Sequence, residues 1–236
     1  CEDFSQVFGM KPQLTTEISD ENCIIVGSLN SKYIKQLIQK EKLEKKQLQG
    51  KNEKYIITTV DAPFNGVKKA LVIAGSDRRG TIYGVYELSK QLGVSPWYWW
   101  MDVPVVKRTE AYILPGIYTD GEPAVKYRGI FLNDEAPCLT SWVKQYYGTD
   151  FGDHRFYAQV CELILRLKGN FLWPAMWGWA FYADDSLNSK TADEMGVIIG
   201  TSHHEPMARN HQEWARKRNE YGAWNYSTNK KVLDQF

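Results

Sequence analysis

Two short runs of this chain carry residue types able to do chemistry: Leu172-Trp173-Pro174-Ala175-Met176-Trp177-Gly178-Trp179, and about one β/α unit later Thr201-Ser202-His203-His204-Glu205-Pro206. Tryptophan presents a broad, rigid apolar face with a single N–H donor, which suits the flat face of a sugar ring, and the two histidines and a glutamate add groups for hydroxyls and carboxylates. A third polar cluster, Asn133-Asp134-Glu135, ends the run Tyr127-Arg128-Gly129-Ile130-Phe131-Leu132. Glycoside hydrolysis needs two carboxyl groups flanking the scissile bond. The candidates are Asp134, Glu135, Glu205 and the pair Asp184-Asp185. A histidine at the rim fits a sugar hydroxyl or carboxylate better than it fits protonation of the leaving oxygen, which is ordinarily a carboxylic acid's task.

Each cluster also has a plainer structural reading. Asp134 could cap a turn. Trp177 and Trp179 could both be core, with Trp177, one turn of loop from Pro174, the better stacking candidate. Adjacent His203 and His204 face opposite sides in extended geometry, and a metal site of His203, Glu205 and Asp134 matches no familiar ligand spacing.

The elements that must position these clusters follow from periodicity. Residues 127–133, 170–173 and 197–200 read as strands, 156–168 as an amphipathic helix with Val160, Leu163, Ile164 and Leu167 on one face, and 189–195 as a helix with Thr191 and Glu194 in a capping box. Residues 210–219 and 228–236 supply further helix. Strands alternating with helices imply parallel pairing, so all three strand ends deliver their unusual residues to one face.

Upstream, residues 23–27, 55–60 and 70–74 read as strands, and a helix capped by Asn30 or Ser31 uses Ile34, Leu37 and Ile38. Gly75-Ser76-Asp77-Arg78-Arg79-Gly80 leads into a helix with Ile82, Val85, Tyr86 and Leu88 on one side. That turn lacks both GxGxxG and a Walker lysine, so a plain strand-to-helix turn is favoured over a phosphate site, with Arg78 and Arg79 free to pair with carboxylates of the neighbouring domain. Residues 1–8 have helical spacing with a stop at Gly9, and look like a helix entered partway. Pro96-Trp97-Tyr98-Trp99-Trp100 opens an irregular, proline-marked connection, and the domain boundary is placed near Gly121. The expectation is a small α/β (α+β) domain over 1–120 with an aromatic linker, then β/α units over 121–236.

Composition bounds the classes. A net charge of +1 from 29 basic and 28 acidic residues leaves no footprint for a nucleic acid. No apolar run is long enough to span a bilayer. Four cysteines, Cys1, Cys23, Cys138 and Cys161, lack CxxC spacing, which argues against a zinc ribbon or dithiol motif and leaves disulfides open.

Four motifs in order, Gly75-Ser76-Asp77-Arg78-Arg79-Gly80-Thr81-Ile82-Tyr83-Gly84, residues 127–135, Leu172-Trp173-Pro174-Ala175-Met176-Trp177, and Gly200-Thr201-Ser202-His203-His204-Glu205-Pro206-Met207, resemble glycoside hydrolase family 115, the xylan α-1,2-glucuronidases. The resemblance implies a small α/β domain ahead of a (β/α)8 TIM barrel that removes (4-O-methyl)glucuronic acid side chains from xylan by an inverting acid/base mechanism without a cofactor. By position, Asp134, Trp177 and His203 resemble residues lining the uronic-acid subsite, with Asn133, Glu135 and His204 beside them. The acid/base pair is expected on later barrel strands, beyond Phe236. The implied partner is glucuronoxylan or its oligosaccharides, and a polymeric substrate implies a secreted or periplasmic location.

A full barrel takes around 250 residues, whereas residues 121–236 accommodate about three strands and their helices. The chain is therefore expected to be an incomplete barrel, inactive alone, or to cover its open edge by pairing with a second copy in a homo-oligomer. The competing reading is a non-catalytic carbohydrate-binding module whose platform is Trp97 to Trp100 and Trp173 to Trp179. A metal hydrolase using His203 and Glu205 is a third.

Overall fold

The computed structural model describes residues 1–18, 21–201 and 209–236. It divides into two compact units, Cys1–Tyr127 with Leu165–Gly169, and Arg128–Ile164 with Asn170–Phe236.

The first unit opens on α1 (Glu2–Phe8), which stops at Gly9 with a φ of 75°, the left-handed C-cap that glycine adopts without steric cost. Its described strands, β1 (Asn22–Ser28), β2 (Tyr55–Asp61), β3 (Lys69–Gly75) and β4 (Ile117–Tyr118), form a mixed sheet in the order β1-β3-β2-β4. β1 runs parallel to β3, and β2 is antiparallel to both β3 and β4. Strand periodicity sends Ala70, Val72 and Ala74 to one face, against Ile34 and Leu37 of α2 (Lys32–Gln39). Both α2 residues are fully buried, and each such side chain contributes ~1.5–3 kcal/mol.

On the other face lies α3 (Arg78–Gln91), and here the buried stripe differs from the expected one. Ile82, Val85, Tyr86 and Leu88 are only half-buried, while Gly80, Tyr83, Gly84 and Ser89 lie deepest. Gly84 explains this: a Cβ there would sit 2.6 Å from Cγ2 of Ile73 and 3.2 Å from Cβ of Tyr55, so the missing side chain lets the helix backbone approach the sheet.

The Gly75–Gly80 turn is a structural cap. The Asp77 carboxylate accepts the N–H of Gly80 at 2.8 Å and that of Glu53 at 2.7 Å, filling with negative charge the helix end that a phosphate would need. Arg79, expected to reach the neighbouring domain, instead pairs with the buried Glu53 of its own unit at 2.5 Å. That partner lies 26 residues earlier in a loop, where spacing carries no pairing signal.

Leu165–Gly169 bring two cations into the first unit. Arg166, 7% exposed, forks onto the Asp3 carboxylate at 2.8 and 3.0 Å, with the rings of Tyr86 and Tyr98 at 4.5 and 4.8 Å from its guanidinium carbon. Lys168, with a φ of 60°, reaches Glu87 at 2.6 Å, Tyr55 Oη at 3.2 Å, and Asp120. The Tyr83 hydroxyl donates to the Gly169 carbonyl at 2.8 Å.

In the second unit, β5 (Gly129–Phe131), β6 (Phe171–Trp173) and β7 (Ile198–Ile199) form an open parallel sheet in sequence order. Gly129 pairs with Phe171, Phe131 with Trp173, and Leu172 with Ile199. The strands are shorter than their apolar runs predict. Gly129 is required at its position: a Cβ would fall 1.8 Å from the Phe171 carbonyl oxygen.

α4 (Leu139–Tyr147) and α5 (His154–Arg166) lie between β5 and β6, α6 (Phe181–Asp184) and α7 (Leu187–Met195) between β6 and β7, and α8 (His211–Arg216), α9 (Arg218–Tyr221) and α10 (Tyr226–Gln235) follow. The expected stripe of α5 holds for Val160, Leu163 and Ile164, joined by the fully buried Phe156, Tyr157 and Cys161, whereas Leu167 is exposed beyond the helix end. Burial pushes the Cys161 thiol up to about 12, which keeps it protonated and inert. No disulfide joins the four cysteines. α7 begins after Ser186, two residues before the expected start, which places Thr191 inside the helix and leaves no capping box. No helix among the described residues is long and apolar enough to cross a membrane.

Candidate functional site

Parallel pairing puts the ends of β5, β6 and β7 on one side of their sheet. The loops that leave there begin at Leu132, Pro174 and Gly200. The first delivers Asn133 and Glu135 as exposed side chains and Asp134 as a buried one, 4% exposed. The second delivers Trp177, 53% exposed, and Trp179, 2% exposed. Of these two tryptophans, Trp179 is core, its ring edge-on to Phe156 at 5.7 Å between centroids. Trp177 is the one that presents a face to solvent. His203, His204 and Glu205 lie outside the described residues.

Asp134 and Trp177 are brought together by backbone chemistry. The Asp134 carboxylate accepts the N–H groups of Trp177 at 2.9 Å, Gly178 at 2.8 Å and Trp179 at 2.8 Å. Successive backbone N–H groups converging on one acceptor form an anion-binding nest, occupied here by the chain's own carboxylate. A carboxylate so engaged fixes the tryptophan loop.

The Ala180 N–H and the carbonyls of Trp177, Gly178 and Trp179 are also held by side chains. Asp184 accepts the Ala180 N–H at 2.5 Å, Asn210 donates to the Trp179 carbonyl at 3.1 Å, Arg216 donates to the Gly178 carbonyl at 2.6 Å, and Gln212 donates to the Trp177 carbonyl. Arg216 also pairs with Asp184, whose side chain is 3% exposed. Sequence reasoning missed Asn210, Gln212 and Arg216. The available signal was weak: an N-cap asparagine and two polar residues four apart on α8, directly after the His-His-Glu run.

Asp184 and Asp185, candidate catalytic carboxylates by sequence, are both anchors. Asp185 accepts the His154 N–H at 3.0 Å and the Leu187 N–H at 2.9 Å, and meets His154 Nδ1 at 2.7 Å. Burial pushes its carboxyl up, but these donors outweigh burial and bring it down to about 2. Such a group stays ionised and cannot serve as a general acid near neutral pH. Because its folded value lies below the ordinary ~3.9, its contribution to stability is full above about pH 4 and is lost as pH falls toward about 2. Asp185→Asn is therefore expected to cost about 1–2 kcal/mol at neutral pH and to flatten the acid limb of the stability profile. Equal losses at pH 3 and pH 7 in thermal denaturation would refute this.

A rigid, half-exposed indole beside polar strand-end residues suits a ligand with one flat apolar face and many hydroxyls. Comparison with known proteins agrees with that chemistry. Residues 120–236 match the model of glycosyl hydrolase family 115, and residues 2–88 match that of the glycosyl hydrolase family 67 N-terminus. Among solved structures, the whole chain superposes with a TM-score of 0.83 and 32% identity on BtGH115A, described as a family GH115 4-O-methyl-alpha-glucuronidase with specificity for decorated arabinogalactans. The chain spans 30% of that protein's length. A comparison with curated proteins gave no match. By its sequence motifs, its second unit and its fold, the chain belongs to glycoside hydrolase family 115 and corresponds to the family's N-terminal portion.

Proposed function

We propose that this chain forms one wall of the uronic-acid cleft of an α-glucuronidase, which removes (4-O-methyl)glucuronic acid side chains from a plant polysaccharide with inversion. The carrying observation is the exposed Trp177 on a loop whose N–H groups are gathered by Asp134. In this reading the parallel β5-β6-β7 sheet with its helices is part of a (β/α)8 barrel, whose active site lies at the strand ends. Trp177 stacks on the sugar, Asp134 holds it there, and Asn133, Glu135, His203 and His204 line the same subsite. Asp134, Asp184 and Asp185 are all engaged in holding backbone. Their engagement supports an acid/base pair drawn from other strands of the barrel. The reaction uses no cofactor, and a polymeric substrate places the enzyme outside the cytoplasm.

Glucuronoxylan is the substrate the sequence suggests, whereas specificity for decorated arabinogalactans belongs to the structural relative. The uronic acid is common to both. Release of free uronic acid by the full-length protein from 4-O-methylglucuronoxylan and from glucuronic-acid-decorated arabinogalactan, with the product anomer read by NMR, tests the reading and separates the two polymers. Trp177→Ala is expected to lower kcat/KM about tenfold or more, corresponding to ~1.4 kcal/mol of lost stacking. Wild-type kinetics in that variant, or binding of unsubstituted xylan with no release of uronic acid, would defeat the assignment.

A further inference from the structure

Residues 177–180 lie between β6 and α6, in neither helix nor strand, so their backbone groups have no repeating partners of their own. Seven of those groups are nevertheless satisfied, all by side chains. The N–H groups of Trp177, Gly178 and Trp179 go to Asp134, and that of Ala180 goes to Asp184. The carbonyls of Trp177, Gly178 and Trp179 go to Gln212, Arg216 and Asn210. The donors to the carbonyls all come from α8 and its N-cap, and Arg216 closes the set by also pairing with Asp184.

We propose that Arg216 and Gln212 are positioning residues for the sugar subsite: α8 fixes the plane of the Trp177 indole from the carbonyl side, as Asp134 fixes it from the N–H side. The proposal rests on the reading that Trp177 stacks on the sugar. A peptide plane gripped at both its N–H and its C=O cannot rotate without breaking a bond at each end. Releasing the carbonyl side frees the planes on either side of the Gly178 Cα, the first of which carries the Trp177 carbonyl, and with it the direction of the Trp177 side chain. The cost of ordering that surface is met on folding, so the ligand does not meet it on binding. Arg216 is suited to the task because its guanidinium can hold the Gly178 carbonyl and the Asp184 carboxylate at once, which a lysine ammonium does with less directional control.

The test uses the full-length protein labelled with 5-fluorotryptophan, the Trp177 resonance being assigned by its absence in Trp177→Phe. Arg216→Met and Gln212→Ala are expected to broaden or split that resonance in the free protein. They are also expected to raise KM on 4-O-methylglucuronoxylan oligosaccharides roughly tenfold with kcat changed less than about twofold, and Arg216→Lys should recover part of the loss. A sharp, unshifted resonance with unchanged KM in both variants would overturn the proposal while leaving the stacking role of Trp177 intact, provided Trp177→Ala still raises KM. No effect of Trp177→Ala on KM would instead remove the stacking reading, and the fluorine signal would still decide whether α8 positions the loop. If Arg216→Met does not fold, Gln212→Ala, at the half-buried end of the brace, carries the same two readouts.

Discussion

Replacing Arg166 with methionine is expected to destabilise the first unit by about 3–5 kcal/mol, the typical cost of leaving one member of a buried ion pair without its partner. The Arg166 guanidinium holds both oxygens of Asp3 and lies between two tyrosine rings, with its side chain 4% exposed. Burial alone would raise the Asp3 carboxyl, yet hydrogen bonds from Arg166 and Ser89 lower it below the ordinary carboxylate value. Asp3 therefore contributes stability above about pH 4 and loses it as pH falls through its depressed folded value. The loss should be local. Amide hydrogen exchange of α1 should accelerate roughly a hundredfold or more in Arg166→Met, and Arg166→Lys should not restore it, because an ammonium can neither fork onto a carboxylate nor stack between rings. The double variant Asp3→Leu with Arg166→Met should recover most of the stability, since the desolvation cost disappears with both charges. Unchanged α1 protection in the single variant would show that the pair holds nothing together.

Asp134→Ala is expected to have the largest effect on the site. It strands three converging N–H groups at a position 4% exposed, and unsatisfied buried groups cost about 1–3 kcal/mol each when water cannot reach them. A loss of about 3–4 kcal/mol in the second unit and a fall in kcat/KM matching that of Trp177→Ala, about tenfold or more, should accompany each other. Asp134→Asn keeps one acceptor oxygen and turns an N–H₂ group toward backbone donors, so its losses should be intermediate and proportionate. Wild-type stability in Asp134→Asn together with abolished turnover would mean that the carboxylate acts on the substrate directly. Proportionate losses in both mean that it acts through Trp177.

Much of the scaffold is legible in the sequence because β-branched runs and helical apolar spacing record burial directly. β2, β3, α2 and α5 follow their patterns closely, whereas β1 forms where its apolar run lies but buries only Ile25, with Ile24 and Val26 exposed. α4 does not: Leu139-Thr-Ser-Trp-Val-Lys-Gln-Tyr-Tyr147 buries only Val143 deeply, so it carries no full apolar stripe to read. The stripe of α3 is misread because glycines mark its contact with the sheet, and a pattern built on large apolar residues cannot register a face made by their absence. For the candidate site, residue types single out the loops after β5 and β6, but the bonds that join those loops link positions 43 to 45 residues apart through main-chain N–H groups, which every residue but proline possesses. Nothing in the spelling of Asp134 or Gly178 marks that contact.

The membership of Leu165–Gly169 in the first unit has a consequence for anyone dividing the gene. The chain completes that unit only after it has begun the other, so no single stop codon yields the first unit whole. A truncation after Tyr127 would discard both Arg166 and Lys168, leaving Asp3, Glu87 and Asp120 as three carboxylates stripped of the cations that face them. Expressing the first unit in isolation calls for a chimera that splices these five residues back, or for compensating replacement of the three acids.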